Sequence, residues 1–153
     1  MNLTEHFTKE EFERSSTAIR KGMPNICPPE LLSNMLDVAN HLEIIRAYYD
    51  APIHILSVYR SEAVNKAVGG SKTSAHSFAH AADFEVAGVA NIEVCRWIAE
   101  NIKGFDQIIY EFGEAGWIHL GFTHGTPRGE LLSATKEMVK GKLKTVYKGG
   151  LNA

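Results

Sequence analysis

The residues best suited to chemistry lie in two short segments, 74–83 and 117–119. Together they supply imidazole rings and a carboxylate, which are the ligand types of a catalytic zinc ion. Such an ion takes three protein ligands and leaves its fourth position to a water that it can activate. Two histidines and one carboxylate would also suit a non-haem iron oxygenase, so the ligand types alone leave the chemistry open.

The sequence around these segments predicts the helices and strands of an α+β fold. Alternating or β-branched runs predict strands over residues 52–59, 81–86, 107–112 and 117–122, with 144–147 as a candidate edge strand. An apolar stripe from Leu31 to Tyr49 predicts a long helix, and cap signals at Thr8 and Ser61 predict two short ones. A shared apolar face after Asn91 predicts a fourth helix. Helices and antiparallel strands without regular βαβ alternation indicate an antiparallel sheet with flanking helices.

His76 and Asp83 are seven residues apart, which places them on opposite faces of any continuous helix or strand. They can converge only if the chain turns at residues 77–79. From Ala81 onward, alternation puts Ala81, Asp83 and Glu85 on one strand face, while His119 arrives from another strand.

Length and composition indicate one soluble domain over residues 1–153, with 135–153 as a candidate peripheral tail. A formal net charge of -2 gives no electrostatic case for a nucleic-acid partner. No run approaches the ~20 apolar residues of a membrane span, and the first residues lack a signal-peptide pattern. We therefore expect synthesis in the cytoplasm without membrane insertion; the oligomeric state is unknown. Cys27 and Cys95 are predicted to be buried, unpaired residues.

The whole pattern resembles the zinc D-Ala-D-Ala carboxypeptidases and L-alanyl-D-glutamate endopeptidases that cleave peptidoglycan stem peptides and share the hedgehog domain fold. The family motif Ser-x-His-x-x-Gly-x-Ala-x-Asp followed by Trp-x-His falls here on Ser74, His76, Ala79, Ala81, Asp83, Trp117 and His119. An upstream Tyr59-Arg60-Ser61 also matches. The opening Phe-x-x-x-Glu-Phe is most similar to the compact, phage-associated branch.

The resemblance implies a role for each matching position. His76, Asp83 and His119 would bind zinc. Arg60 would hold a carboxylate or carbonyl oxygen of the substrate, for which its planar fork is suited. Ser74 would line the substrate site.

This chain departs from the family pattern at two positions. Ala79 replaces the motif glycine, so a positive φ at that turn would carry a steric cost. Gly116 replaces the acid that many members place three residues before the last histidine, which leaves Glu111 or Glu114 as the general base. We favour Glu111, because a carboxylate in an apolar strand is costly without a function or a partner. A regular two- or four-residue hairpin would point Glu111 away from His119, so this choice requires a bulge or an odd-length loop.

We therefore expect a zinc metallopeptidase that hydrolyses peptidoglycan stem peptides, acting on the cell wall after release as a phage endolysin or as a virion component. The sequence leaves three alternatives open. It does not show which peptide bond is cut, whether the protein is instead a host enzyme, or whether Glu114 rather than Glu111 is the base. The missing acid at Gly116 keeps a non-catalytic zinc-bearing wall-binding or phage structural module as an alternative. An iron oxygenase is disfavoured, because such enzymes resemble a mostly β jelly roll that has no place for the long helix.

Overall fold

A six-stranded sheet forms the frame of the chain, in the strand order β1-β2-β4-β3-β5-β6. The computed structural model describes residues 1–153. Neighbouring strands are antiparallel except for β3 and β5, which are parallel. The predicted α+β class with a mostly antiparallel sheet and flanking helices is confirmed. The strands are β1 (Ile53–Ser57), β2 (Ala81–Val86), β3 (Gln107–Glu111), β4 (Trp117–Gly121), β5 (Glu130–Val139) and β6 (Lys142–Gly149).

Five α-helices surround the sheet: α1 (Lys9–Glu13), α2 (Ser16–Lys21), α3 (Leu32–Tyr49), α4 (Glu62–Ala67) and α5 (Asn91–Asn101). Both predicted caps are present, since the hydroxyls of Thr8 and Ser61 accept hydrogen bonds from the first turns of α1 and α4. Helix α5 begins at Asn91, as predicted. The sequence analysis missed α2, because six residues are too few to show an apolar stripe. No helix of the structure has the length and apolar character that a membrane crossing requires.

The two faces of the sheet have different roles. Phe84, Ile118 and Leu120 are fully buried and belong to one core cluster with the apolar stripes of α3 and α5. Because side chains alternate along a strand, the residues next to them point to the opposite face. That face carries Asp83, His119 and Glu111, and it holds the candidate site.

A C-terminal hairpin of β5 and β6 extends the sheet beyond β3. Its two-residue turn has positive φ at both Lys140 and Gly141, as a tight hairpin matching the sheet twist requires. The candidate edge strand at 144–147 lies within β6, which is the edge of the sheet. The sequence analysis did not predict β5, whose mixture of polar and apolar residues lacks a clean alternation.

Candidate metal centre

His76, Asp83 and His119 converge in a cleft of about 480 Å3 on the open face of the sheet. The Asp83 Oδ1 atom lies 3.3 Å from His76 Nε2 and 2.9 Å from His119 Nδ1. One ligand atom from each residue lies within 4.8 Å of the other two. His76 and Asp83 are only 2% and 7% exposed, so the three polar groups are removed from water and depend on one another.

The orientation of His76 is set by the turn that carries it. His76 lies in a single 3-10 turn (Ala75–Phe78), and the Ser74 hydroxyl caps this turn by accepting a hydrogen bond from the His76 N–H. Its Nδ1–H donates to the Val58 carbonyl at 2.8 Å, which leaves Nε2 free to face Asp83. Ala79 ends the turn with a φ of 55°. The turn therefore requires a left-handed backbone conformation at the position of the motif glycine. The alanine costs about 1–2 kcal/mol in that conformation.

Strand register brings Asp83 and His119 together. They are directly opposite each other on β2 and β4, with both side chains on the cleft face. A Cβ atom at Gly121 would lie 3.2 Å from His119 Nε2, so glycine makes room for the imidazole. Burial alone would raise the pKa of Asp83, but the two histidines outweigh burial and hold this pKa well below its usual range. The carboxylate is therefore ionised and ready to bind a cation.

The three residues fit a zinc ion. Four ligands at about 2.0–2.2 Å from a tetrahedral ion are about 3.3–3.6 Å apart. The separations of 3.3 and 2.9 Å from Asp83 Oδ1 are close to this range, and all three ligand atoms lie within 4.8 Å of one another, so modest shifts would let them accept the ion. Two neutral imidazoles and one carboxylate are the donor set of open zinc sites, and the Val58 carbonyl supplies the outer hydrogen bond that such histidines use.

Arg60 lines the same cleft from the segment after β1. Its backbone N–H donates to the His76 carbonyl at 3.1 Å, which ties the arginine to the metal-binding turn. Its Nε atom is buried and has no hydrogen-bond partner in the protein. Burial lowers the pKa of Arg60, against the charges of Asp83 and Glu111. The guanidinium stays charged, and its unpaired donor calls for an acceptor from outside the chain.

Glu111 lies on the cleft face because the loop before β4 has an odd length. Ile109 pairs with His119 and Glu111 pairs with Trp117, so the connection spans the five residues 112–116. Glu111 and His119 are therefore on the same face, as the choice of Glu111 required. Burial, together with the negative charge of Asp83, raises the pKa of Glu111 to about 7.

Gly116 cannot carry the acid that many family members have at this position. A Cβ atom there would lie 1.8 Å from the Glu111 carbonyl oxygen. The backbone of this loop passes too close to the end of β3 for any side chain. The glycine at position 116 is thus required by the same tight loop that points Glu111 into the cleft.

Glu114, the other candidate base, and His80, a further histidine within residues 74–83, are bonded elsewhere. The Glu114 carboxylate accepts hydrogen bonds from Asn91 N at 2.6 Å, Ile92 N at 3.0 Å and the Tyr110 hydroxyl at 2.6 Å. It therefore caps the first turn of α5. His80 lies outside the metal-binding group, and its Nε2 contacts the carboxylate of Asp37 on α3 at 2.9 Å.

Sequence reasoning missed two residues of the site. Asn25 is buried, and it donates to the Tyr59 carbonyl at 3.0 Å while accepting from Ser61 N at 2.7 Å, so it clamps the segment that carries Arg60. Tyr147 lines the cleft from β6. Neither had a local signal, because each reaches the site through a contact between distant parts of the chain.

Three convergent ligand atoms beside a buried acid and an unpaired arginine define a candidate metal site on one face of the sheet. The family model described as Peptidase M15 matches residues 5–121, which include Arg60 and the three candidate ligands. The chain therefore belongs to the M15 peptidase family, whose members are zinc-dependent peptidases. The family expected from the motifs is confirmed at this level, and the phage-associated branch stays a prediction. No curated protein matches the chain.

Proposed function

We propose that the protein is a zinc-dependent peptidase that hydrolyses an amide bond in peptidoglycan stem peptides. The observation that carries this proposal is the content of one cleft: three convergent ligand atoms, the Glu111 carboxylate and the unpaired Arg60 guanidinium. A non-catalytic zinc module would have no need for an acid and a free cation beside its metal ligands. The α+β sheet likewise disfavours the jelly-roll oxygenase.

His76, Asp83 and His119 would hold the zinc ion. When bound, the ion would lower the pKa of a water and polarise the scissile carbonyl. Glu111 would take a proton from the attacking water and deliver it to the amine that leaves. Its burial favours this role, because a base with a pKa near the working pH both accepts and releases a proton readily.

Arg60 would fix the direction of the substrate. A stem peptide offers carboxylate and carbonyl oxygens, and a buried guanidinium can meet them with charge-assisted hydrogen bonds. Ser74 lies at the cleft wall and would contribute there, although its hydroxyl also caps the turn of His76. In a phage setting, such an enzyme would reach the wall as an endolysin or as part of the virion.

The test is to incubate the zinc-loaded protein with purified peptidoglycan and to identify newly exposed termini by mass spectrometry. We expect new amino and carboxyl termini within the stem peptides, and none with the variant in which His76, Asp83 and His119 are all alanine. Binding of zinc and of the wall polymer without any new termini would favour the non-catalytic module. The identity of the new termini would also show which amide bond is cut.

A further inference from the structure

The C-terminal hairpin contributes a side chain to the cleft from outside the matched residues 5–121. Strand register places Trp117, Glu111, Ala134 and Tyr147 in one row across β4, β3, β5 and β6. Residues in one such row share a sheet face, so Tyr147 is on the face that carries Glu111 and the three candidate ligands.

Ala134 is the only residue between Glu111 and Tyr147 in this row. Two strand spacings of about 4.8 Å separate the backbones of Glu111 and Tyr147. Ala134 is buried, and its methyl group is small enough for the long tyrosine side chain to extend across β5 toward the cleft, which Tyr147 lines. Burial, followed by the charges of Glu111 and Asp83, raises the pKa of the Tyr147 phenol, so its hydroxyl keeps its proton at neutral pH.

The Tyr147 hydroxyl is also a free donor. The Tyr110 hydroxyl, by contrast, donates to Glu114 at 2.6 Å and has a structural role. No group of the protein accepts a hydrogen bond from Tyr147, and this residue is 54% exposed at the cleft edge. A neutral O–H that faces the reaction site without a partner is suited to an oxygen that becomes more negative during a reaction.

We propose that Tyr147 is a further catalytic residue of the peptidase reaction, donating its phenol O–H to the scissile carbonyl oxygen as negative charge grows on that oxygen. This inference rests on the function proposed above. In the reaction, the C–N bond of the amide breaks and a C–O bond to water forms. One proton of the water passes through Glu111 to the departing nitrogen. Tyr147 keeps its proton throughout and supplies only the hydrogen bond.

The test compares the wild type with Tyr147→Phe, which keeps the ring and removes the hydroxyl. Removal of one such donor typically costs about 10²–10³-fold in kcat. We expect roughly 10- to 100-fold here, because water competes for a half-exposed phenol. KM for a stem peptide and the zinc content should stay near the wild-type values. Tyr48→Phe is the matched control, since Tyr48 is 60% exposed on α3 and stacks on Trp97 away from the cleft.

A second measurement does not depend on turnover. A phosphinate analogue of the scissile dipeptide carries a charged oxygen where the carbonyl oxygen would be, so Tyr147→Phe should weaken its binding by a factor similar to the loss in kcat, measured by calorimetry. Binding of the amine product, which lacks the oxygen that Tyr147 would contact, should not change. Equal phosphinate affinities of the wild type and Tyr147→Phe would overturn the role of Tyr147 alone. A wild type that neither cleaves stem peptides nor binds the phosphinate would overturn the proposed function, and this inference with it.

Discussion

Glu111 and Glu114 are three residues apart in the sequence, yet their carboxylates have different surroundings. Glu111 lies in the cleft beside the metal-binding residues, and burial raises its pKa to about 7. Burial also acts on Glu114, but its three hydrogen bonds outweigh burial and lower its pKa. A carboxylate that already accepts three hydrogen bonds is a poor proton shuttle, so the two acids should respond differently to the same substitution.

We predict that Glu111→Gln keeps bound zinc but lowers turnover by roughly 10²–10⁴-fold, the usual contribution of general acid–base catalysis. Glutamine preserves the size of the side chain and removes the base. Glu114→Gln should keep turnover near the wild-type value and instead reduce the free energy of unfolding by about 1 kcal/mol, because it removes a charge at the start of α5. Steady-state kinetics, metal analysis and denaturant unfolding would separate the two effects. The reverse pattern would assign the base to Glu114.

The unpaired Nε of Arg60 leads to a second prediction at this scale. Arg60→Lys keeps the positive charge but loses the planar fork, so kcat/KM should fall by roughly 10- to 100-fold, since a hydrogen bond to a charged group contributes about 1.5–3 kcal/mol. Zinc content should be unchanged. Arg20→Lys on the exposed face of α2 is the control and should behave as the wild type. Unchanged kinetics in Arg60→Lys and in Arg60→Ala would remove the arginine from the site.

At the scale of elements, the loop between β3 and β4 determines which face of the sheet receives Glu111. A short 3-10 turn (Gly113–Ala115) lies within this loop, preceded by Phe112 with a φ of 62°. The five residues 112–116 then return the chain in a register that puts Glu111 and His119 on one side. The Gly116 backbone packs against the Glu111 carbonyl at the end of this loop, where a side chain would not fit. The loop conformation and the position of Glu111 therefore depend on the same glycine.

We predict that Gly116→Ala destabilises the protein by about 2 kcal/mol or more and lowers turnover at the same time. The new Cβ atom would lie 1.8 Å from the Glu111 carbonyl oxygen, so the loop must move and take Glu111 with it. Gly149→Ala is a matched control in β6, where a new methyl group would have no other atom within 4 Å. Thermal unfolding and kinetics on both variants check the prediction. A Gly116→Ala variant with wild-type stability and turnover would show that the loop does not set the position of Glu111.

The elements that sequence could predict are those with strong local signals. The stripe of α3, the caps at Thr8 and Ser61 and the central strands all follow from periodicity and side-chain chemistry. The candidate ligands came from the motif, and the face of Glu111 depended on a loop length that periodicity cannot supply. Asn25 and Tyr147 could not be predicted, because strand order and long-range packing alone bring them to the site.

At the scale of the whole molecule, the candidate ligands come from three separate elements. His76 lies on a 3-10 turn, Asp83 on β2 and His119 on β4. In the unfolded chain these residues are far apart on average, and they form no preformed site there. An ion that binds all three therefore binds only the folded state, and by mass action it raises the free energy of unfolding of the whole domain.

We predict that zinc raises the melting temperature of the wild type by roughly 5–10 °C. A free zinc concentration 100 times Kd adds about 2.7 kcal/mol to the free energy of unfolding. Each 1 kcal/mol shifts Tm by about 2–4 °C in a domain of this size. A chelator should reverse the shift. The variant with alanine at His76, Asp83 and His119 should show no zinc-dependent shift, whatever its own starting Tm.

His80→Gln is the matched control, because it removes a buried histidine that lies outside the group and should keep the full shift. An equal shift in the triple variant would mean that zinc binds elsewhere on the chain.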